Sequence, residues 1–140
     1  MSFWKKKKKP DVLPVLRQWK IKRKCLDLIL EASKANYPQE FGGFLRVDPH
    51  NKDTITEVVL LPGTISGDTH AIFQLHMLPV DFNIIGTVHS HPSGAPYPSG
   101  ADLQLFEKFG GVHIIIASPY TDSSWRAYSN AGNELPMKII

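Results

Sequence analysis

The chain has 140 residues, of which 42% are hydrophobic and 21% charged, with a net charge of +3 and a single cysteine. This length suits one domain with one hydrophobic core and leaves no room for a second enzyme domain. No apolar run approaches the roughly 20 residues of a membrane-spanning helix. No apolar signal segment follows the N-terminal lysines, so we expect a cytoplasmic protein. Cys25 alone cannot form an internal disulfide or a cysteine-rich zinc ribbon, so a metal site here must use His, Asp or Glu.

The charge is unevenly distributed along the chain. Residues 1 to 24 hold ten of the sixteen Lys and Arg residues but only one of the thirteen acidic residues, so the remainder is acidic. A run of like charges is usually a solvated, disordered arm, and the alternative is contact with nucleic acid or an anionic membrane surface. We predict a basic, flexible arm over residues 1 to 20 and one folded domain over residues 21 to 140. The lysines that would make a weak anionic contact are Lys5, Lys6, Lys7, Lys8 and Lys9.

The first predicted element after the arm is a helix in "KCLDLILEASKANYP". Four of its apolar residues recur at the spacing of one helix face, namely Cys25, Leu28, Ile29 and Ala32. Pro38 is expected to end the helix, because proline has no N–H to donate and disfavours the helical conformation in the residue before it.

The rest of the chain reads mainly as strands. Two largely apolar runs, "IIGTVHSH" and "VHIIIAS", are typical of strands at the centre of a sheet, and between them lies a short helix, "ADLQLFEKFGG", closed by glycine. The order of helices and strands is too irregular for a doubly wound parallel sheet, so we expect an α+β fold in which helices flank a mixed β-sheet. The other predicted elements are the strands "FGGFLRV" and "TITEVVLL", joined as a hairpin by "DPHNKD", the loop "PGTISGDT", and the strands "HAIFQL", "SWRAYS" and "ELPMKII".

Two histidines at the end of a predicted strand suggest a metal site. Successive side chains of a strand point to opposite faces, so His89 and His91 share a face. Two imidazoles at this spacing can bind one Zn²⁺, and Asp102 from the next helix would complete a three-ligand site with one open position. Ser99 and Asp102 also have the form of a helix capping box. Capping and metal binding are compatible, because residues in the first turn of a helix can serve both purposes.

A hydrolytic zinc site also needs a carboxylate that takes a proton from water. Spacing alone does not choose among the candidates, which are Glu31, Glu40, Glu57, Glu107 and Glu134. Glu40 is favoured because it lies where a helix leads into a glycine-containing strand, from which a carboxylate can reach over a neighbouring strand. The alternative is that Glu40 is an exposed loop acid.

These residues together resemble the JAMM, or MPN+, zinc metalloprotease motif. That motif has an upstream glutamate, then His-Ser/Thr-His-Pro, six residues, serine, two residues and aspartate. Here it reads Glu40, "HSHP" from His89, Ser99 and Asp102, and every position matches. The chain is similar to the small archaeal JAMM isopeptidases over residues 21 to 130, including "ILEASKANYPQEFGGFL" and "PSGADLQLFEKFG".

The resemblance implies a fold related to that of the cytidine deaminases and one Zn²⁺ per chain, bound by His89, His91 and Asp102. It also implies that zinc-activated water, with Glu40 as general acid and base and the Ser99 hydroxyl helping to hold the oxyanion, hydrolyses the bond after the C-terminal glycine of a ubiquitin-like modifier. The modifier tail would lie extended and pair with a sheet edge. The chain lacks the "PCxxC" zinc half-site of nucleotide deaminases, which argues against deaminase chemistry.

Three other functions remain open at this point. The same chemistry could trim the tail of a sulfur-carrier protein. The chain could be a non-catalytic binding scaffold, like MPN relatives that have lost metal ligands, although the intact motif counts against this. It could also be a nucleic-acid-associated protein that acts through its basic arm. We expect structural roles for Cys25 and for the remaining histidines, His50, His70, His76 and His113.

Overall fold

The computed structural model describes residues 17–60 and 81–140. The predicted loop "PGTISGDT", the predicted strand "HAIFQL" and the lysine run lie outside these ranges. Within them, no helix is long and apolar enough to cross a membrane. The described elements are the helices α1 (Arg23–Asn36) and α2 (Gly100–Lys108) and the strands β1 (Trp19–Ile21), β2 (Gly42–Asp48), β3 (Asn51–Leu60), β4 (Ile84–His91), β5 (Val112–Ala117), β6 (Trp125–Tyr128), β7 (Glu134–Leu135) and β8 (Met137–Ile139).

The eight described strands form one mixed sheet in the order β7-β6-β5-β4-β2-β3-β1-β8. Strand β2 is antiparallel to both β3 and β4, whereas β4 and β5 are parallel. A parallel pair needs a crossover connection, and α2 lies in the segment that joins β4 to β5. The predicted mixed sheet, the β2–β3 hairpin and the central position of the two apolar strands are therefore confirmed.

The two outer strands of the sheet are close together in sequence. Strands β7 and β8 stand at opposite ends of the strand order, yet only Pro136 separates them. Residues two apart have Cα atoms at most about 7 Å apart, so the two edges of the sheet must meet at Pro136. The sheet is thus curled into a barrel-like form. The prediction of one strand over "ELPMKII" is wrong, because proline cannot donate to a strand ladder and here divides the segment between two edges.

Helix α1 packs against one face of the curled sheet. Its buried residues are Cys25, Leu26, Ile29, Leu30 and Ser33. The predicted apolar face is only partly correct, since Leu28 is 50% exposed. The physical reason is that the buried face is rotated towards Leu26 and Leu30, which belong to the core cluster formed with the sheet. The helix ends at Asn36, two residues before Pro38, as predicted.

The opposite face of the sheet carries α2. Leu105 and Phe106 of this helix form a second core cluster with Phe44, Ile115 and Tyr128. Gly110 follows the helix with φ 118°, a backbone conformation that glycine adopts without steric cost, which agrees with the predicted glycine stop. Helices on both faces of a mixed sheet match the expected α+β fold.

The folded part of the chain begins before the predicted boundary at residue 21. Trp19 and Lys20 belong to β1, which pairs in parallel with both β3 and β8. Trp19 is buried in the main core cluster. Trp19 and Lys20 are therefore part of the sheet and not of the predicted basic arm. Their neighbouring Lys and Arg residues suggested an arm, but the contacts that bury Trp19 come from distant strands.

Candidate metal centre

Strand β4 presents two histidines on the face that carries α2. His89 and His91 are two residues apart in β4, and His89 lies opposite Ile115 of the second core cluster. The intervening Ser90 points to the other face, because side chains alternate along a strand. The His89 side chain has no exposed surface, while that of His91 is 16% exposed. Solvent therefore reaches this pair from the His91 side.

The third candidate ligand comes from the first turn of α2. Ser99 Oγ accepts a hydrogen bond of 3.1 Å from the Asp102 amide, and Asp102 Oδ2 accepts one of 2.9 Å from the Ser99 amide. This is the expected capping box, and it fixes the Asp102 carboxylate at the start of the helix. The Asp102 side chain is fully buried. The Ser99 hydroxyl accepts in this contact, so its own proton stays available for donation.

The three side chains converge on one point. His89 Nε2 lies 2.9 Å from Asp102 Oδ1, His91 Nε2 lies 3.2 Å from Asp102 Oδ2, and the two Nε2 atoms are 3.2 Å apart. Ligands at 2.0 to 2.1 Å in a tetrahedral zinc site are about 3.3 Å from one another. The separation of the two Nε2 atoms, and the distance from each Nε2 to the Asp102 oxygen that it faces, are within a few tenths of an ångström of this value, so the group fits a single Zn²⁺.

The backbone around the site determines which nitrogen of His91 faces the cluster. His91 Nδ1 lies 3.0 Å from the Ala95 carbonyl oxygen, which can only accept, so Nδ1 carries the proton and Nε2 offers its lone pair. Burial lowers the pKa of His91, but its hydrogen bonds to Asp102 and Ala95 and the charges of Asp102 and Glu40 outweigh burial and raise that pKa. A metal must displace the proton that this environment favours, so metal binding weakens as the pH falls.

The loop between β4 and α2 is tied to β6 and to the residue that follows β5. Tyr128 Oη donates a hydrogen bond of 2.7 Å to the Pro96 carbonyl oxygen, and the Ser118 amide donates one of 3.0 Å to the Ser93 carbonyl oxygen. These bonds hold the segment that carries the Ala95 carbonyl. Tyr128 is 32 residues away from Pro96, so no local sequence pattern predicts this contact.

Glu40 lies just before β2, at the same end of the sheet as the two histidines. Gly42 lies opposite His89, and the Ser90 amide donates to the Phe41 carbonyl oxygen over 2.9 Å. If this antiparallel register continued by one residue, Glu40 would stand opposite His91, and directly opposed residues share a face. The effect of the Glu40 charge on the pKa of His91 agrees with this position.

The other four candidate glutamates lie elsewhere on the surface. Glu31 pairs with Lys34 on α1 over 3.2 Å. Glu57 pairs with Arg46 in the β2–β3 hairpin over 3.2 Å, and Glu134 lies 3.8 Å from Arg126 beside β6. Glu107 is exposed in the last turn of α2. Of the five candidate glutamates, Glu40 is the one that lies just before β2, which pairs with β4 at His89.

His113 is a buried histidine on β5, the strand next to β4, and it is not one of the three candidate metal ligands. His113 Nε2 donates to the Gly110 carbonyl oxygen over 3.0 Å, and Nδ1 therefore accepts from the Thr87 hydroxyl over 2.7 Å. Its ring stacks on Phe106 with 4.4 Å between ring centroids. Burial lowers the pKa of His113 to about 4. This histidine is neutral at physiological pH and has the structural role expected from the sequence, as does Cys25, whose thiol pKa burial raises to about 12.

The low pKa of His113 predicts a pH-dependent loss of stability. The unfolded histidine titrates near pH 6.5 and the folded one near pH 4, so its contribution is complete above pH 6.5 and is lost as the pH falls towards 4. The full loss amounts to about 3 kcal/mol of unfolding free energy. His113→Gln is expected to flatten the stability profile in this window, measured by urea unfolding at each pH with a chelator present to remove metal effects. An unchanged slope in the variant would show that other groups cause the loss.

Comparisons with known proteins agree with this site. Residues 22–128 match the family of prokaryotic homologs of the JAB domain. The chain is 37% identical over 123 residues to a probable metalloprotease of Haloferax volcanii, covering 83% of this chain and 76% of the relative.

Two solved structures have the same fold over most of this chain. A JAB1/MPN domain protein from Archaeoglobus fulgidus superposes with a TM-score of 0.70 at 35% identity, covering 88% of this chain and 98% of that one. A structure described as JAMM, a metalloprotease-like zinc site in the proteasome and signalosome, gives a TM-score of 0.68 at 35% identity with the same coverage. The predicted zinc cofactor is confirmed by the donor set together with these relatives. The chain therefore belongs to the prokaryotic JAB-domain family of JAMM/MPN metalloprotease-like proteins.

Proposed function

We propose that this protein is a zinc-dependent isopeptidase or peptidase that hydrolyses the bond after the C-terminal glycine of a ubiquitin-like modifier. The observation that carries the proposal is the convergence of His89, His91 and Asp102 at ligand spacing, with the Glu40 charge close enough to raise the pKa of His91. A ligand set with a carboxylate beside it is the arrangement that hydrolytic zinc sites use.

His89, His91 and Asp102 would hold the metal. Bound Zn²⁺ supplies a Lewis acid that polarises a carbonyl group and lowers the pKa of water to about 7. Because His89 and Asp102 are fully buried and His91 is partly exposed, the protein closes one side of the site and leaves the other to substrate and water. The hydrogen bond from the Ser99 amide keeps Asp102 in a fixed orientation, and the one to the Ala95 carbonyl does the same for His91.

Glu40 would serve as the general base and then as the general acid. Its carboxylate would take a proton from the attacking water and return it to the departing amine, which leaves poorly as an anion. Glu40 is partly buried, so its carboxylate can contact a water molecule at the site while remaining partly shielded from bulk solvent.

Ser99 would stabilise the oxygen on which charge develops. Its oxygen accepts from the Asp102 amide, so the hydroxyl proton is left to point towards an oxyanion. Ser99 also stands at the N-terminal end of α2, where the helix dipole favours negative charge. The modifier tail would lie extended beside the sheet, since main-chain hydrogen bonds can recognise a glycine-rich peptide that offers few side chains.

The direct test is cleavage of defined conjugates by the zinc-loaded protein. Candidate ubiquitin-like proteins, joined to a lysine side chain or to a linear peptide, are incubated with the protein, and the cleavage site is read by mass spectrometry. We expect cleavage after the C-terminal glycine, full loss of cleavage with a chelator and recovery on adding Zn²⁺. Cleavage of sulfur-carrier extensions alone would favour the tail-processing alternative. A zinc-loaded protein that cleaves none of these substrates would favour a binding scaffold.

A further inference from the structure

We propose that the Ser90 hydroxyl positions Glu40 by anchoring the backbone of Phe41, the residue that follows it. The inference rests on the role given to Glu40 in the proposed function. It assigns a task to the residue between the two histidines, which contributes no ligand.

Glu40 lies between two regular elements. Helix α1 ends at Asn36 and β2 begins at Gly42, so neither element includes Glu40 in its own hydrogen-bond pattern. Upstream, the Gln39 amide donates to the Asn36 carbonyl oxygen over 2.6 Å, which fixes the turn that leaves the helix. Because Phe41 is the next residue, a contact that holds the Phe41 backbone also constrains the backbone of Glu40.

Ser90 binds Phe41 at two points. The Ser90 amide donates to the Phe41 carbonyl oxygen over 2.9 Å, and the Phe41 amide donates to Ser90 Oγ over 2.8 Å. A hydrogen-bonded pair in an antiparallel ladder exchanges two backbone bonds, and here a side-chain hydroxyl accepts the second one. Ser90 is fully buried and Phe41 is 3% exposed, so water cannot replace that acceptor. The hydroxyl thus extends the β2–β4 pairing beyond the end of β2, up to the neighbour of Glu40.

The direction of the Ser90 side chain excludes a direct chemical role. Side chains alternate along β4, so Ser90 points to the α1 face and away from His89 and His91. On that face Phe41 and Val88 belong to the main core cluster. Ser90 is therefore a positioning residue that acts through the Phe41 backbone, not a catalytic one.

Ser90→Ala is the variant that tests this role. It removes the acceptor and leaves the buried Phe41 amide without one, so the Glu40 backbone should loosen. We expect one Zn²⁺ per chain to remain, KM to change little, and kcat to fall by about 10- to 100-fold, the range in which small misplacements of a reacting group reduce rate. Ser90→Thr keeps the hydroxyl and should restore most of kcat.

Ser33→Ala is the matched control. Ser33 is also fully buried, and its hydroxyl donates to the Ile29 carbonyl oxygen over 2.8 Å within α1. Ser33→Ala removes a buried hydroxyl that bonds within α1 and should leave kcat unchanged, whereas Ser90→Ala should lower kcat. In a Glu40→Gln background, Ser90→Ala should cause no further loss, because both changes act on the same group. The positioning role would be overturned if the double variant lost kcat by the product of the two single losses. It would also be overturned if Ser33→Ala lost as much kcat as Ser90→Ala.

A measurement that needs no substrate separates this inference from the proposed function. In zinc-loaded protein, NMR should show faster hydrogen exchange of the Phe41 amide and a lower backbone order parameter at Glu40 in Ser90→Ala, but not in Ser90→Thr or Ser33→Ala. If neither the exchange rate at Phe41 nor the order parameter at Glu40 changed in Ser90→Ala, the proposed positioning by Ser90 would be wrong. If both change as expected while the wild-type protein cleaves no conjugate, Ser90 does hold the backbone at Phe41 but the proposed function is wrong.

Discussion

Replacing Glu40 with glutamine is expected to leave one Zn²⁺ per chain and to lower kcat by about 10²- to 10⁴-fold. Glutamine has nearly the same shape as glutamate but cannot accept a proton from water at neutral pH. The three metal ligands lie on β4 and α2, so the substitution leaves them in place. Metal analysis of the purified variant and steady-state kinetics on a cleaved conjugate check the two parts of this expectation.

Glu107→Gln provides the control for Glu40→Gln. Glu107 is an exposed glutamate in the last turn of α2, so its replacement removes the same charge from the surface without touching the histidine end of the sheet. We expect wild-type kcat from this variant. Substantial cleavage by Glu40→Gln would mean that a different group takes the proton and that the register argument chose the wrong base.

The double substitution His89→Ala/His91→Ala is expected to abolish both zinc binding and cleavage. It removes both imidazole ligands, whose Nε2 atoms lie 3.2 Å apart, and a single buried carboxylate does not hold Zn²⁺. Asp102 keeps its hydrogen bond from the Ser99 amide, so α2 should still form. Metal analysis measures the zinc content, and circular dichroism checks that the fold is retained.

His50→Ala is the matched control for the histidine pair. His50 is exposed in the turn between β2 and β3, and its removal should leave zinc content and kcat at wild-type values. Retention of one Zn²⁺ per chain by the double variant would place the metal at another site. Loss of zinc with persistent cleavage would contradict the proposed metal-dependent chemistry.

The errors of the sequence analysis share a physical origin. The helix over "KCLDLILEASKANYP" was predicted correctly from its periodicity, but its buried face was misassigned because the curled sheet determines which side of α1 is covered. In the same way, "ELPMKII" has the composition of one strand, yet Pro136 divides it between the two edges of the sheet. Local propensity specifies the kind of element, whereas burial depends on distant partners.

The metal ligands were predictable because their geometry is largely local. His89 and His91 share a face through the two-residue period of a strand, and the capping box fixes Ser99 and Asp102 within one helical turn. These relations hold in any fold that forms the strand and the helix. The sequence by itself therefore determined the kind of metal site and the two segments that form it.

Only the tertiary structure decided how the proposed base and its support reach that site. The pairing of β2 with β4 brings the segment before Gly42 to the histidine end of the sheet, and the bond between Phe41 and Ser90 joins residues 49 positions apart. The tie between Tyr128 and Pro96 and the closure of the sheet at Pro136 depend on contacts of the same long range. Such contacts form only when the whole sheet assembles, so no local pattern in the sequence encodes them.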